Sequence, residues 1–156
     1  MPAIFLSNSE RETEDIAFHL AESNIITQGD IIALFGDLGA GKTAFARGLA
    51  RFFSPSSRVT SPTFALVNEY KTTDKNKIFH FDMYRINSED DLLSIGFYDY
   101  LDKSNIIIIE WFEKIADFFD ENTIKIAIIK TNNEQQNERK IIFERVTEAT
   151  NADTWN

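Results

Sequence analysis

The stretch Ile31-Ile32-Ala33-Leu34-Phe35-Gly36-Asp37-Leu38-Gly39-Ala40-Gly41-Lys42-Thr43-Ala44-Phe45-Ala46-Arg47 decides how this chain is read. Residues 36–43 match G-x-x-x-x-G-K-[ST], the signature of a phosphate-binding loop. The apolar run before the loop reads as a buried strand, and the Ala/Phe/Leu-rich run after it reads as a helix. Strand, loop and helix in that order are the context the signature requires. Glycines let backbone N–H groups turn inward and approach phosphate oxygens. The helix start aims its unpaired N–H groups and partial positive charge at the same anion. Lys42 is placed to reach the β- and γ-phosphates, and the Thr43 hydroxyl to bind Mg2+.

The bulk properties agree with one soluble globular domain. The 156 residues suffice for a single core, and 43% are hydrophobic. A net charge of −9 argues against affinity-bearing contact with nucleic acid. The absence of cysteine removes disulfides, thiolate metal sites and a thiol nucleophile. No apolar run approaches the ~20 residues of a membrane span, and the N-terminus lacks a signal pattern. The expected location is the cytoplasm.

Working outward from the loop, Ile4-Phe5-Leu6 reads as a short strand. Ser9-Glu10-Arg11-Glu12 has capping-box form ahead of Thr13, Ile16, Ala17, Leu20 and Ala21 at helical spacing. The loop helix runs to about Phe53, where Ser54-Pro55-Ser56-Ser57 breaks it. Ser61 to Lys71 and Lys77 to Arg85 read as two strands of a hairpin. Ser88 caps a short helix ending near Gly96. Asn105 to Trp111 holds four consecutive isoleucines, which marks a central strand buried on both faces. Phe112 to Phe119 reads as helix, and Thr123 to Lys130 and Lys140 to Val146 as strands. Residues 1–146 form one P-loop ATPase domain in this reading. Residues 147–156 form a polar, flexible tail in which Trp155 could anchor a partner. The expected fold is α/β, a central mixed β-sheet flanked by helices, with the nucleotide site at the carboxyl ends of the strands.

A P-loop needs a carboxylate to complete the Mg2+ shell, usually at the end of an apolar strand. Glu110, after Ile106–Ile109, supplies it, as a direct ligand or as a group orienting the attacking water. In His80-Phe81-Asp82-Met83-Tyr84-Arg85 the alternation puts His80, Asp82 and Tyr84 on one face. Asp82 could act as general base or hold the metal's water, and Arg85 could meet phosphate charge. His80 reads as a hydrogen-bonded structural residue. Ser61-Pro62-Thr63-Phe64 reads, taken alone, as a proline turn; its position is similar to that of a switch loop, where a Thr hydroxyl can meet Mg2+ or the γ-phosphate. No N-K-x-D or D-x-x-G sequence is present, so adenine is the better guess for the base.

Taken together, GDLGAGKT (36–43), SPTF (61–64), HFDMYR (80–85) and IEW (109–111) closely resemble the TsaE (YjeE) family, over about residues 4–146. Members are small bacterial P-loop ATPases of the machinery that makes threonylcarbamoyladenosine in tRNAs reading codons that begin with A. The resemblance implies ATP and Mg2+ as ligands. It puts Lys42 and the loop backbone on the phosphates, and Thr43 and Glu110 on Mg2+. It makes Asp82 and Trp111 functionally important, and gives a switch role to the segment holding Ser61 and Thr63. Thr13 and Arg139 match positions near the adenine. It further implies an accessory motor that binds a heterodimer of the transferase subunit and its inactive paralogue, reaching tRNA only through them, and resets that complex for multiple turnover. Two other readings stay open on the residues: a small-molecule P-loop kinase, and a non-catalytic nucleotide-dependent interaction module. The kinase reading is weakened by the lack of an arginine-rich lid.

Overall fold

A computed structural model describes residues 2–63, 65–119, 122–131 and 137–146. The tail assigned to 147–156, with Trp155, and Phe64 of the proline-turn segment lie outside the described residues. Among the described residues the strands are β1 (Ala3–Ser7), β2 (Ile31–Phe35), β3 (Val67–Lys71), β4 (Lys77–Asp82), β5 (Ile106–Glu110), β6 (Thr123–Lys130) and β7 (Arg139–Val146). They form one mixed sheet in the order β1-β7-β6-β2-β5-β4-β3. The centre is parallel, with β2 between β5 and β6 and β4 beside β5. Both margins are antiparallel, β3 on β4 and β1-β7 on β6.

The strand alternation sorts side chains into two cores. Ile32, Leu34, Ile106, Ile108, Ile126 and Ile128 face α1 (Glu10–Glu22) and α2 (Lys42–Phe53). Ala33, Phe79, Phe81, Ile107 and Ile109 face the other side, under Met83, Leu92, Phe97, Phe112 and Phe119. Each fully buried isoleucine contributes about 1.5–3 kcal/mol, so the apolar run of β5 is a main anchor of the sheet.

Helix α1 starts where the capping box puts it. The Ser9 hydroxyl accepts from the Glu12 N–H at 3.1 Å, and the Glu12 carboxylate accepts from the N–H of Asn8. Helix α2 packs against α1 so closely that a Cβ on Gly48 would stand 2.1 Å from the Glu14 carbonyl oxygen. Arg47 and Arg51 bridge the pair, reaching Glu14 at 2.9 Å and Asp15 at 3.1 Å.

Three expected elements differ. Residues 61–63, 65 and 66 are not strand. Pro62 offers no N–H to a ladder, and the Leu66 N–H closes a turn on the Pro62 carbonyl at 2.8 Å, with Leu66 at φ 66°. Strand β4 ends at Asp82 rather than Arg85, because the Asp82 carboxylate takes the Tyr84 N–H at 2.8 Å and turns the chain. Tyr84 therefore does not share the face of His80 and Asp82. It is exposed, with its ring 5.0 Å from that of Trp111. Only Phe112–Lys114 forms a helical turn, of 3-10 type, where a helix to Phe119 was expected. Phe112, Ile115 and Phe119 are all drawn into the second core, and that packing overrides helix continuation. Helix α3 (Glu89–Ser94) is capped by the Ser88 side chain as expected.

Candidate functional site

The carboxyl ends of three neighbouring parallel strands, β2, β5 and β4, open into one cleft of about 320 Å3. Gly39–Ala44, Ser61, Thr63, Asp82, Glu110 and Trp111 line it, with Glu10 and Leu38 at its margin. A larger hollow of about 580 Å3 lies at the opposite, amino ends of β2 and β6, lined by Asp30, Asp102, Lys103 and Arg145 among others. The chemistry-bearing residues converge on the smaller one.

Helix α1 has a capping serine and first-turn acids Glu10 and Glu12, whereas α2 begins at Gly41 with no side-chain cap and no acid in its first turn. Its leading N–H groups are thus left for an external anion. Gly36 adopts φ +153°, and a Cβ there would lie 2.7 Å from the Ile128 carbonyl oxygen, so glycine is required for the loop to leave β2. Every carbonyl from Gly36 to Ala40 accepts from a cationic side chain. Lys42 Nζ donates to the Gly36 and Asp37 oxygens at 2.5 and 3.0 Å. Lys130 Nζ donates to the Leu38 oxygen at 3.1 Å. Arg139 donates to the Ala40 oxygen at 2.9 Å and the Gly39 oxygen at 3.4 Å. With the carbonyls turned to these cations, the loop N–H groups other than that of Ala40, which donates to the Asp37 oxygen at 3.0 Å, are left for a ligand.

Lys42 is buried, with Nζ 3.9 Å from the centre of the Trp111 ring. Burial pushes its ammonium below the ordinary lysine range, and the charges of Glu110, Glu113, Asp82 and Asp37 oppose that shift. Trp111 holds this place in a left-handed conformation, φ 58°. Such strain in a non-glycine residue costs on the order of 1–3 kcal/mol and clusters at functional sites.

The even-numbered residues of β4 and β5 face α2, which brings Glu110, His80 and Asp82 together. The Thr43 hydroxyl lies 3.2 Å from both Glu110 oxygens. His80 Nε2 is 2.5 Å from Glu110 Oε2. Asp82, the register partner of Glu110, accepts from the Thr63 hydroxyl at 3.1 Å. The hydroxyls of Ser61 and Thr63 are 2.7 Å apart. Among the described residues no cluster of three or more His, Cys, Asp or Glu side chains is placed to hold a metal unaided. A cation at Thr43 and Glu110 would therefore need oxygens from a ligand, which fits Mg2+ carried with a nucleotide.

The remaining sequence candidates lie further out. Thr13 is buried, its hydroxyl 2.8 Å from that of Ser7, and its methyl would touch a Cβ on Gly41 at 3.9 Å, so it backs the loop. Arg85 is exposed beyond the end of β4. Asp37 and Leu38 form the exposed tip of the loop. Sequence reasoning missed Lys130 and the contact between His80 and Glu110. The first has no local signal. The second had one, since His80 stands two residues before Asp82 on the same strand face.

This geometry is that of a P-loop fold, an arrangement consistent with nucleotide binding. Residues 7–141 match the family described as Threonylcarbamoyl adenosine biosynthesis protein TsaE. The chain is 40% identical over 130 residues to the TsaE of Rickettsia typhi, covering 82% of this chain and 88% of that one. It is 37% identical over 131 residues to the TsaE of Aquifex aeolicus, covering 76% and 92%. The crystal structure of Bacillus subtilis YdiB superposes with TM-score 0.74 at 26% identity, over 94% of this chain and 87% of that one. The chain belongs to the TsaE family, which takes part in tRNA threonylcarbamoyladenosine biosynthesis. Among the described residues no helix is long and apolar enough to cross a membrane.

Proposed function

We propose that this chain is a Mg2+-dependent ATPase that supports threonylcarbamoyladenosine formation by acting on the transferase complex, without transferring the group itself. The observation that carries this reading is the Thr43–Glu110 pair, 3.2 Å apart at the mouth of an uncapped helix. The loop N–H groups and Lys42 would hold the phosphates. Thr43 and Glu110 would hold Mg2+, which when bound neutralises charge on the phosphate oxygens. Asp82, steadied by Thr63 and the Tyr84 N–H, is suited to orient the attacking water or accept its proton. Thr13 and Arg139, which the resemblance matches to positions near the adenine, would act by supporting the loop from behind.

The partners would be the transferase subunit and its inactive paralogue, which hold the tRNA. A net charge of −9 supports that division of labour, since phosphate contacts demand cations. Intrinsic hydrolysis would be slow, because the charges acting on Lys42 are those of Glu110, Glu113, Asp82 and Asp37, none of which can serve as an arginine finger. The test is ATP hydrolysis with and without the purified heterodimer, for wild type and Lys42→Ala. Stimulation by the partners that disappears in the variant supports the reading. A rate indifferent to the partners removes the assignment to the transferase complex.

A further inference from the structure

We propose that His80 is a positioning residue that sets the Glu110 carboxylate against Thr43 and couples it, through Tyr70, to the segment 60–63. The inference rests on the reading of Thr43 and Glu110 as a metal-nucleotide site and extends it to residues that touch neither ligand. His80 is fully buried in β4, between Phe79 and Phe81, where an apolar residue would pack without needing partners. Both ring nitrogens are engaged. Nε2 lies 2.5 Å from Glu110 Oε2 and is assigned as the donor because a carboxylate accepts. Nδ1 lies 3.3 Å from the Tyr70 hydroxyl. That hydroxyl also lies 3.3 Å from the Thr60 carbonyl oxygen, which accepts from Asn68 Nδ2 at 3.1 Å, so its single proton serves Nδ1 or the carbonyl one at a time.

The consequence is geometric. Glutamate has three side-chain torsions, and a carboxylate that must meet a cation is more effective when those are fixed beforehand. Thr43 alone touches both oxygens equally and does not choose between them. His80 selects Oε2 and so fixes the plane of the group. The segment 60–63 then touches both site carboxylates, Asp82 directly through Thr63 and Glu110 by relay through Thr60, Tyr70 and His80. Because Asp82 and Glu110 are register partners, displacement of this one segment is felt on both sides of the cleft.

The experiment uses Mn2+ in place of Mg2+, with the non-hydrolysable nucleotide adenylyl imidodiphosphate. Free Mn2+ is read by electron paramagnetic resonance, and nucleotide affinity is measured separately in EDTA. For His80→Ala we expect Mn2+ affinity to fall roughly tenfold, the usual effect of losing a group that orients a ligand, with metal-free nucleotide affinity unchanged. His80→Gln, which retains an N–H donor towards Glu110, recovers most of the loss. Tyr70→Phe, which deletes only the hydroxyl, shows a smaller loss in the same direction. A folded His80→Ala with wild-type Mn2+ affinity overturns the proposal. Should that variant not fold, wild-type Mn2+ affinity in Tyr70→Phe overturns it. A wild-type chain that binds no Mn2+ with the nucleotide overturns the metal-nucleotide site as well as the role of His80, and that result is distinct from the other two.

Discussion

Thr43 and Glu110 stand 67 positions apart in the chain, and the threonine hydroxyl lies 3.2 Å from each oxygen of the glutamate. One is in the first turn of α2 and the other ends the central strand β5, so the sheet and the helix packed on it fix their separation. In the proposed site this pair would hold the metal and Lys42 the phosphates. Glu110→Gln keeps the size and the contact with Thr43 but removes the charge. We expect phosphate release to fall by roughly 100-fold, a usual cost of removing one group that stabilises the transition state. Nucleotide affinity in EDTA should stay at the wild-type level. Undiminished turnover would show that Glu110 is not part of the reacting centre.

Gly48 tests the packing that holds α2, and with it the loop, in place. In an exposed helix Gly→Ala stabilises by about 1 kcal/mol. Here the new Cβ would meet the Glu14 carbonyl oxygen at 2.1 Å and the Ala17 Cβ at 2.8 Å. The sign therefore reverses, with a loss of about 1–3 kcal/mol, or several degrees in Tm at about 2–4 °C per kcal/mol for a domain of this size. A calorimetric Tm equal to or above wild type would contradict the described contact between α1 and α2.

Arg139 donates to the Gly39 and Ala40 carbonyls, so its effect on binding should pass through the loop. Arg139→Ala is expected to weaken ATP and inorganic tripolyphosphate by the same factor, of order tenfold for two lost charge-assisted bonds. Titration calorimetry with both ligands decides the matter. Weakening of ATP alone would move Arg139 from the loop to the base.

Much of this site was legible in the sequence. A strand, a glycine loop and a helix carry their own periodicities, so residues 31–53 could be placed without tertiary information. Glu110 could be placed beside the loop because a P-loop needs a carboxylate at the end of an apolar strand, and the isoleucines 106–109 end in one. What escaped depends on contacts distant in sequence. The bond from His80 to Glu110 follows from the β4–β5 register, and Lys130 reaches Leu38 only because β6 lies beside β2. The end of β4 was misplaced because the Asp82 side chain, read only as a functional group, also makes the turn that ends the strand. Phe112–Phe119 had helical spacing, but its aromatic residues were recruited by the second core.

Lys125 gives a pH-dependent prediction away from the cleft. Burial lowers its ammonium from the ordinary 10.5, against the pull of Glu144, its register partner, and it lies 5.6 Å from the centre of the Phe35 ring. A lysine whose folded pKa is lowered costs stability in full below that pKa. The cost fades as pH rises through it and is gone above 10.5. Lys125→Met should therefore raise Tm at neutral pH, with the gain shrinking as pH rises through the lowered pKa and gone above 10.5. A gain constant with pH, or a loss at neutral pH, would contradict the stated burial.

The most direct test of the central claim is calorimetric titration of ATP into wild type and Thr43→Val, each with Mg2+ and with EDTA. Wild type is expected to bind more tightly with Mg2+ than without it, and Thr43→Val to bind in EDTA as wild type does while losing that enhancement. Equal enhancement by Mg2+ in the two proteins would show that the Thr43–Glu110 pair is not the metal site.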